Sequence, residues 1–287
     1  MKFRLPHTVI CFFLLFETFS SAGQIISGVV IDKQTSLPLP YASLGIRDKG
    51  IGCIADKRGR FSLSISQASY RDSIIISNIG YESTTILVKN FTLNELNQIK
   101  LQPKVKELEE VIVVAKQDML VLGNSTYTSD FTGWGDFTSS RGRSKGLQIE
   151  PKEFPTKIIE FDVRLKDNDF DSVKLRLHIY TNNPNSDSAK EVLPENVLFT
   201  AVKNQHWVRV DLEKYNISMD KPLWASVEWV DSWTSPKLGK GSYLLTISTG
   251  KKEGYSFYRE APEQPFTTLF YKTSPTMYFK GYKIKAN

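Results

Sequence analysis

Ile51-Gly-Cys-Ile-Ala-Asp-Lys-Arg-Gly-Arg-Phe-Ser-Leu-Ser-Ile65, followed by Asp72-Ser-Ile-Ile-Ile-Ser-Asn-Ile-Gly-Tyr-Glu82, decides the fold of this 287-residue chain. Asp56 and Gly59 bracket a tight turn, because aspartate bonds its own backbone and glycine accepts positive φ. Phe61, Leu63 and Ile65 then alternate with Ser62 and Ser64, the period of a half-buried strand. Ile74, Ile75 and Ile76 are apolar on both faces and suit a central strand, and Gly80-Tyr81 closes the unit. Upstream, Ile26-Ser-Gly-Val-Val-Ile-Asp32 and Leu39-Pro-Tyr-Ala-Ser-Leu44 supply two more strand-like segments.

Gly28, Val30, Asp32, Leu39, Pro40, Ala42, Asp56, Gly59, Phe61, Leu63, Ser77, Gly80 and Tyr81 stand in an order that resembles the carboxypeptidase-regulatory-like domain. The chain departs from that pattern at Leu44 and Ala55, where the family often has valine and threonine. The resemblance implies a small transthyretin-like β-sandwich over residues 24–102 with no catalytic role. It also implies an envelope protein of the Bacteroidetes type. A run similar to Glu107-Leu-Glu-Glu-Val-Ile-Val-Val114 links this domain to the plug of TonB-dependent receptors. No plug-like sequence follows here, and the remaining length cannot supply a barrel of about 22 strands. Residues 103–126 are therefore read as linker and edge strand.

Met1-Lys-Phe-Arg4 is basic, residues 9–16 form a short apolar core, and Ser20-Ser-Ala22 offers small residues for cleavage. This pattern predicts a signal peptide over residues 1–22 and an exported protein, periplasmic or associated with the outer membrane or cell surface. The apolar run is far shorter than the ~20 residues that span a bilayer, and no other stretch approaches that length. The net charge of +6 is dispersed rather than gathered on one element, which argues against a nucleic-acid partner. Beyond the leader only Cys53 remains, so no intramolecular disulfide is available and the cores alone must hold the fold. Cys53 reads as a small buried hydrophobe.

Residues 127–287 predict a second antiparallel β-sandwich, jelly-roll-like. Phe161, Val163 and Leu165 alternate with Glu160, Asp162 and Arg164, with Ile159 on the apolar side. Val173, Leu175, Leu177 and Ile179 alternate with Lys174, Arg176, His178 and Tyr180. Val208 and Val210 alternate with Trp207, Arg209 and Asp211, and Ala225 and Val227 with Trp224, Ser226 and Glu228. Such repetition without a long amphipathic helix argues an all-β chain. The one helical hint is residues 93–99.

Catalytic patterns are sparse. A zinc peptidase needs two histidines and a carboxylate on one ion; beyond the leader there are only His178 and His206, with no H-x-x-E spacing. Asp167, Asp169 and Asp171 alternate as calcium loops do but lack the glycine and the distal glutamate, so a hairpin turn is expected. Gly142-Arg-Ser144-Lys-Gly146 matches G-x-S-x-G without a strand before it or a lasting helix after it. Glu228, Asp231 and Asp211 are candidates by type alone for paired carboxylates. No catalytic residue, metal or cofactor is assigned. The expected ligand face is the polar side of the second sandwich, with Trp207 and Trp224 as exposed platforms among Arg176, His178, Tyr180, Arg209 and Glu228. The expected function is a non-catalytic binding or interaction protein whose partner is an envelope protein or a glycan. A structural accessory subunit of an outer-membrane transport or adhesion complex and a carboxylate-based hydrolase are the alternatives. The native protein is expected to begin at or near Gly23, and intact-mass spectrometry of material from its own host checks this: a retained Met1 refutes it.

Overall fold

The computed structural model describes residues 23–104, 119–134, 141–152, 155–234 and 244–284. The expected leader over residues 1–22, the 107–114 run and Tyr243 lie outside them. The chain is all-β, and its strands form two sandwiches.

The first sandwich comprises β1 (Gln24–Asp32), β2 (Ser43–Ile46), β3 (Ile51–Ile54), β4 (Arg60–Ile65), β5 (Ser73–Ser77), β6 (Thr84–Leu87) and β7 (Leu96–Leu101). One sheet runs β4-β1-β7 and the other β3-β2-β5-β6. Along β4 the residues alternate strictly, Phe61, Leu63 and Ile65 buried and Arg60, Ser62 and Ser64 exposed. The turn before it forms as its residues dictate. Asp56 Oδ1 accepts the Arg58 and Arg60 amides, and Gly59 has φ +70° with Val30 O only 2.7 Å from where a Cβ would sit. Asp32 shows why its motif position is polar. Its carboxylate accepts the Gln34 and Thr35 amides and, at 2.9 Å, the Tyr81 hydroxyl, so the end of β1 is clamped to the turn after β5. The Thr35 amide chiefly holds the Asp32 carboxyl below its ordinary value, while burial and Asp32 push the Tyr81 phenol up to about 12.

Two details differ from the sequence reading. β5 lies inside its sheet, but Ile75 is half-buried while Ile74 and Ile76 are fully covered. Residues 93–99 are not helical: β7 starts at Leu96 and pairs parallel with β1, and the Asn97 side chain ties the preceding loop to Ser27 and Thr92. Parallel pairing joins segments far apart in the chain, which a local pattern does not announce. Cys53 is half-buried on β3, and burial lifts its thiol to about 12, so it is inert as a nucleophile at neutral pH.

The second sandwich comprises β8 (Leu120–Asn124), β9 (Phe131–Gly133), β10 (Ser144–Ile149), β11 (Thr156–Asn168), β12 (Ser172–Tyr180), β13 (Val197–Val202) and β14 (Trp207–Asp211). It continues with β15 (Ser218–Met219), β16 (Leu223–Trp233), β17 (Leu245–Gly250), β18 (Gly254–Arg259), β19 (Thr267–Tyr271), β20 (Ser274–Pro275) and β21 (Met277–Lys283). One sheet runs β13-β12-β16-β10-β18-β19. The other runs β20-β17-β11-β21-β8, with β14 and β15 on the second edge of β11 and β9 on β17. Val173, Leu175, Ala225 and Val227 from the first meet Phe161, Val163, Val208 and Phe279 from the second, and Trp229 lies edge-on to Trp134 and Phe170. In β11 a bulge between Ile158 and Glu160 shifts the parity, so Ile158 rather than Ile159 enters the core. Such a bulge spends one extra residue without changing the composition of the strand.

The two sandwiches pack against each other through the outer face of the six-stranded sheet. Tyr41 and Ile54 bury against Val230. The approach is close enough to require glycine: a Cβ on Gly45 would lie 2.3 Å from Pro262 O, and one on Gly80 would lie 2.5 Å from Pro194 O. Phe61 is 4% exposed at the centre of the first core. Phe61→Ala is expected to cost about 3–5 kcal/mol, read as a lower midpoint in a denaturant melt.

Candidate functional site

The outer face of β12, β16 and β18 carries charge where a covered sheet face would ordinarily carry methyl groups. Arg176 and His178 project from β12, Glu228 from β16 and Arg259 from the end of β18, and register places them side by side: Arg176 opposite Glu228, His178 opposite Ser226. Glu228 is fully buried. Its carboxylate accepts Arg176 Nε at 2.7 Å and Arg259 Nη2 at 2.8 Å, and a second Arg176 contact from Nη2. His178 Nε2 lies 3.1 Å from the same carboxylate, and His178 Nδ1 lies 2.8 Å from Glu191 Oε2. Glu191 reaches in from the β12–β13 loop and its other oxygen accepts the Ile179 amide. Arg176 also spans the joint, donating to Tyr41 O at 2.8 Å, to Ser43 Oγ at 2.9 Å and to Asn196 Oδ1 at 3.1 Å.

The protonation states follow from this geometry. Burial alone would raise the Glu228 carboxyl, but Arg176, Arg259 and His178 outweigh it and hold the group well below the usual carboxylate range. For His178 burial opposes charge, and the hydrogen bonds to Glu191 and Glu228 outweigh it, lifting the imidazole above 6.5. Two acceptor-only carboxylates facing both ring nitrogens require both to be N–H. The ring is an imidazolium, stacked flat on Tyr180 at 5.7 Å and 5°. Tyr180 in turn meets Phe266 edge-on at 6.1 Å. Burial raises the Tyr180 phenol, so it stays neutral.

Above this floor, between the two sandwiches, lies a cleft of about 670 Å³, lined from one side by residues such as Ser77, Asn78 and Tyr81 and from the other by Tyr180, Arg259 and Phe266. That volume is in the range of sites for small ligands, about 300–1,000 Å³.

Of the residues singled out in the sequence, Arg176, His178, Tyr180 and Glu228 converge here. Trp224 lies next to them but not as a platform. It is 7% exposed, packed on Phe257 with Tyr180 and Phe266 in the same cluster, because this sheet face is covered. Trp207 and Arg209 are on β14, in the other sheet, so the two tryptophans do not face one ligand. Trp207 is 39% exposed between Tyr127 and Tyr278, and Arg209 pairs with Glu160 and Asp162. Alternation separated the faces of β12, β14 and most of β16, but it does not say what covers a face. Arg259, Glu191, Asn196 and Phe266 were not singled out. The Phe257–Arg259 spacing on β18 was a strand signal of the ordinary kind, short and easily passed over.

The remaining candidates disperse. Asp231 pairs with Arg141 at 2.6 Å and Asp211 accepts the Glu213 amide, so neither joins Glu228. Ser144 opens β10, buried opposite Glu228 and Arg259, and not on a strand-to-helix elbow. Asp167 accepts Thr246 Oγ1 and Asp169 accepts the Leu244 amide, as in a tied hairpin. Among the described residues no group of three or more metal-ligating side chains is placed to hold an ion. No helix among them is long and apolar enough to cross a membrane.

Residues 26–113 match the family model of the CarboxypepD_reg-like domain, a non-catalytic β-sandwich domain type, so the first sandwich is a domain of that kind. The match runs past the expected end at residue 102 and takes in the 107–113 segment. No curated protein matches the chain.

The cluster gives the protein a pH signature. Glu228, with its folded value depressed, contributes stability that is fully present above the ordinary 4.5 and lost as acid protonates it. His178, with its folded value raised, contributes fully below 6.5 and loses that contribution as pH rises through the folded value. Melts taken across pH are expected to show this contribution greatest between about 4.5 and 6.5. His178→Gln should remove the alkaline decline. Glu228→Gln, which strands two buried arginines, is expected to cost about 3–5 kcal/mol.

Proposed function

We propose that this chain is an exported, non-catalytic binding protein of the cell envelope, and that its ligand, a polar molecule such as a glycan, occupies the cleft between the two sandwiches. The observation that carries the reading is that the charged floor of the cleft is already paired. Glu228 is held ionised by two arginines, which makes it a poor proton acceptor, and both N–H groups of His178 are committed to carboxylates. A general base needs a lone pair of adequate proton affinity within reach of the proton. His178 has none free, and the arginines leave the buried Glu228 carboxylate with little affinity for a proton. What is left to a ligand is recognition: the amide nitrogen of Asn78, whose oxygen is taken by Asn196, the hydroxyl of Ser186, and the rings of Tyr180 and Phe266. A few convergent polar groups beside aromatic surface suit binding and orientation. Export rests on the basic and apolar pattern of residues 1–22.

A second reading, a structural accessory subunit of an outer-membrane transport or adhesion complex, is favoured by the outer strand of the six-stranded sheet. Leu269, Phe270 and Tyr271 on β19 and Tyr255 beside them are all exposed. An unpaired strand edge with exposed apolar side chains is a place where another protein pairs.

A glycan array followed by thermal melts separates the two. The expected result is at least one oligosaccharide that raises the melting temperature, as a ligand specific to the native state must, by about 2.7 kcal/mol at a hundred times Kd. Gln264→Trp, which crowds the cleft, should abolish that shift while Phe270→Asp leaves it intact. A blank array, together with loss of envelope association in Phe270→Asp, favours the subunit instead.

A further inference from the structure

The ion cluster leaves a buried donor without a partner. Arg259 is 8% exposed and its Nη2 is bound to Glu228, but its Nε–H is buried without a hydrogen-bond partner. Arg259 lines the cleft, and its guanidinium lies 5.0 Å from the Phe266 ring. Of the carboxylates around it, Glu228 serves Arg176, Arg259 and His178 and Glu191 serves His178 and the Ile179 amide, while Glu263 accepts Ser77 Oγ at 2.5 Å and acts on Arg259 only through space. Across the cleft, Arg47 of the first sandwich lines the same space and forms no ion pair among the described residues. Arg47, Lys104, Arg176, His178 and Arg259 stand against Asp187, Glu191, Glu228 and Glu263, which leaves the cations ahead by one.

A buried guanidinium N–H without an acceptor is costly, and a carboxylate is its best-matched partner. We infer that the ligand is an acidic saccharide, a uronate-bearing oligosaccharide whose carboxylate docks on Arg259 with Arg47 closing from the first sandwich. The inference rests on the reading of the cleft as a ligand site and adds the ligand's charge and class. The walls favour a saccharide over an acidic peptide. They are loops, 77–83, 184–194 and 263–266, and β2 beneath them is paired on both edges by β3 and β5, so no strand edge is free to take a peptide backbone. Tyr180 and Phe266 supply ring surface of the kind on which a pyranose lies.

Calorimetric titration of the mature protein with galacturonate trimer, with neutral galactose trimer and with glutamate trimer tests this directly. The expected result is that the acidic sugar binds at least about tenfold tighter than the neutral one at low salt, a difference that shrinks in about 0.5 M NaCl. Arg259→Lys keeps a cation for Glu228 and removes the Nε–H; it should erase most of that preference. Arg47→Gln, remote from Glu228, should weaken the acidic sugar about threefold and leave the neutral one unchanged, and it serves if Arg259→Lys does not fold. Equal binding of the acidic and neutral sugars overturns the charge assignment and leaves the cleft as a glycan site. Binding of the peptide alone overturns the saccharide class. No heat and no thermal shift with any of them, or with a wider panel of neutral and acidic glycans, overturns this inference and the cleft reading together; a shift with any neutral glycan alone overturns only this one.

Discussion

One carboxylate in a dry place organises this molecule. Glu228 is fully buried, and a lone ionised group there would be displaced or neutralised by its desolvation cost. It stays ionised because Arg176 and His178 reach it from the adjacent β12 and Arg259 from β18, one strand further off. Each of those cations depends on the carboxylate in the same way. The arrangement is therefore all-or-none: the strands must be in register, and the first sandwich must be docked, before any one charge is tolerable. Buried ion pairs contribute little net stability against apolar residues of the same volume, but removing one partner is severe. What such a cluster supplies is selectivity among arrangements, since a slipped register or an undocked domain strands a charge.

Docking follows from the same cluster. Arg176 is a residue of the second sandwich that makes three of its hydrogen bonds outward, to Tyr41 and Ser43 of the first and to Asn196. Asn196 passes the connection on to Asn78 at 2.7 Å. Apolar contact at the joint is small by comparison, with Tyr41 and Ile54 against Val230. The cleft exists because the polar part of the joint holds the sandwiches together at one end while loops stand apart at the other. Its floor is rigid and its walls are loops, an arrangement common to recognition sites.

Much of the fold was legible because strand periodicity is a local property. Phe61, Leu63 and Ile65 reveal their face within five residues, and the Asp56–Gly59 turn is written in its own chemistry. The Asp32–Tyr81 clamp was visible only as two fixed positions of a resemblance, since nothing local says they touch. The second sandwich was legible as strands but not as a site. Trp207 and Trp224 sit in identical local patterns, an aromatic residue alternating with valine or alanine, and one is open while the other is sealed. What distinguishes them is the cover that Phe257, Phe266 and Tyr180 lay over Trp224, brought there from other strands and loops of the same sandwich. Likewise the bulge at Ile158–Glu160 reverses a parity that composition alone supports. Arg259 escaped notice for a related reason: its strand is short, and its importance comes from Glu228, thirty-one positions earlier.

The glycines at the joint bear on how this domain travels. A domain is portable when its surface asks nothing of its neighbour. Here Gly45 faces Pro262 and Gly80 faces Pro194, main chain against main chain, with no room for even a methyl group. The contact works as a keyway: its shape is cut into the backbone and cannot be adjusted by choosing another rotamer. A sandwich from a related protein, however similar its core, would need bare backbone at both points to seat on this partner. The first sandwich seats on this partner only while both points stay bare.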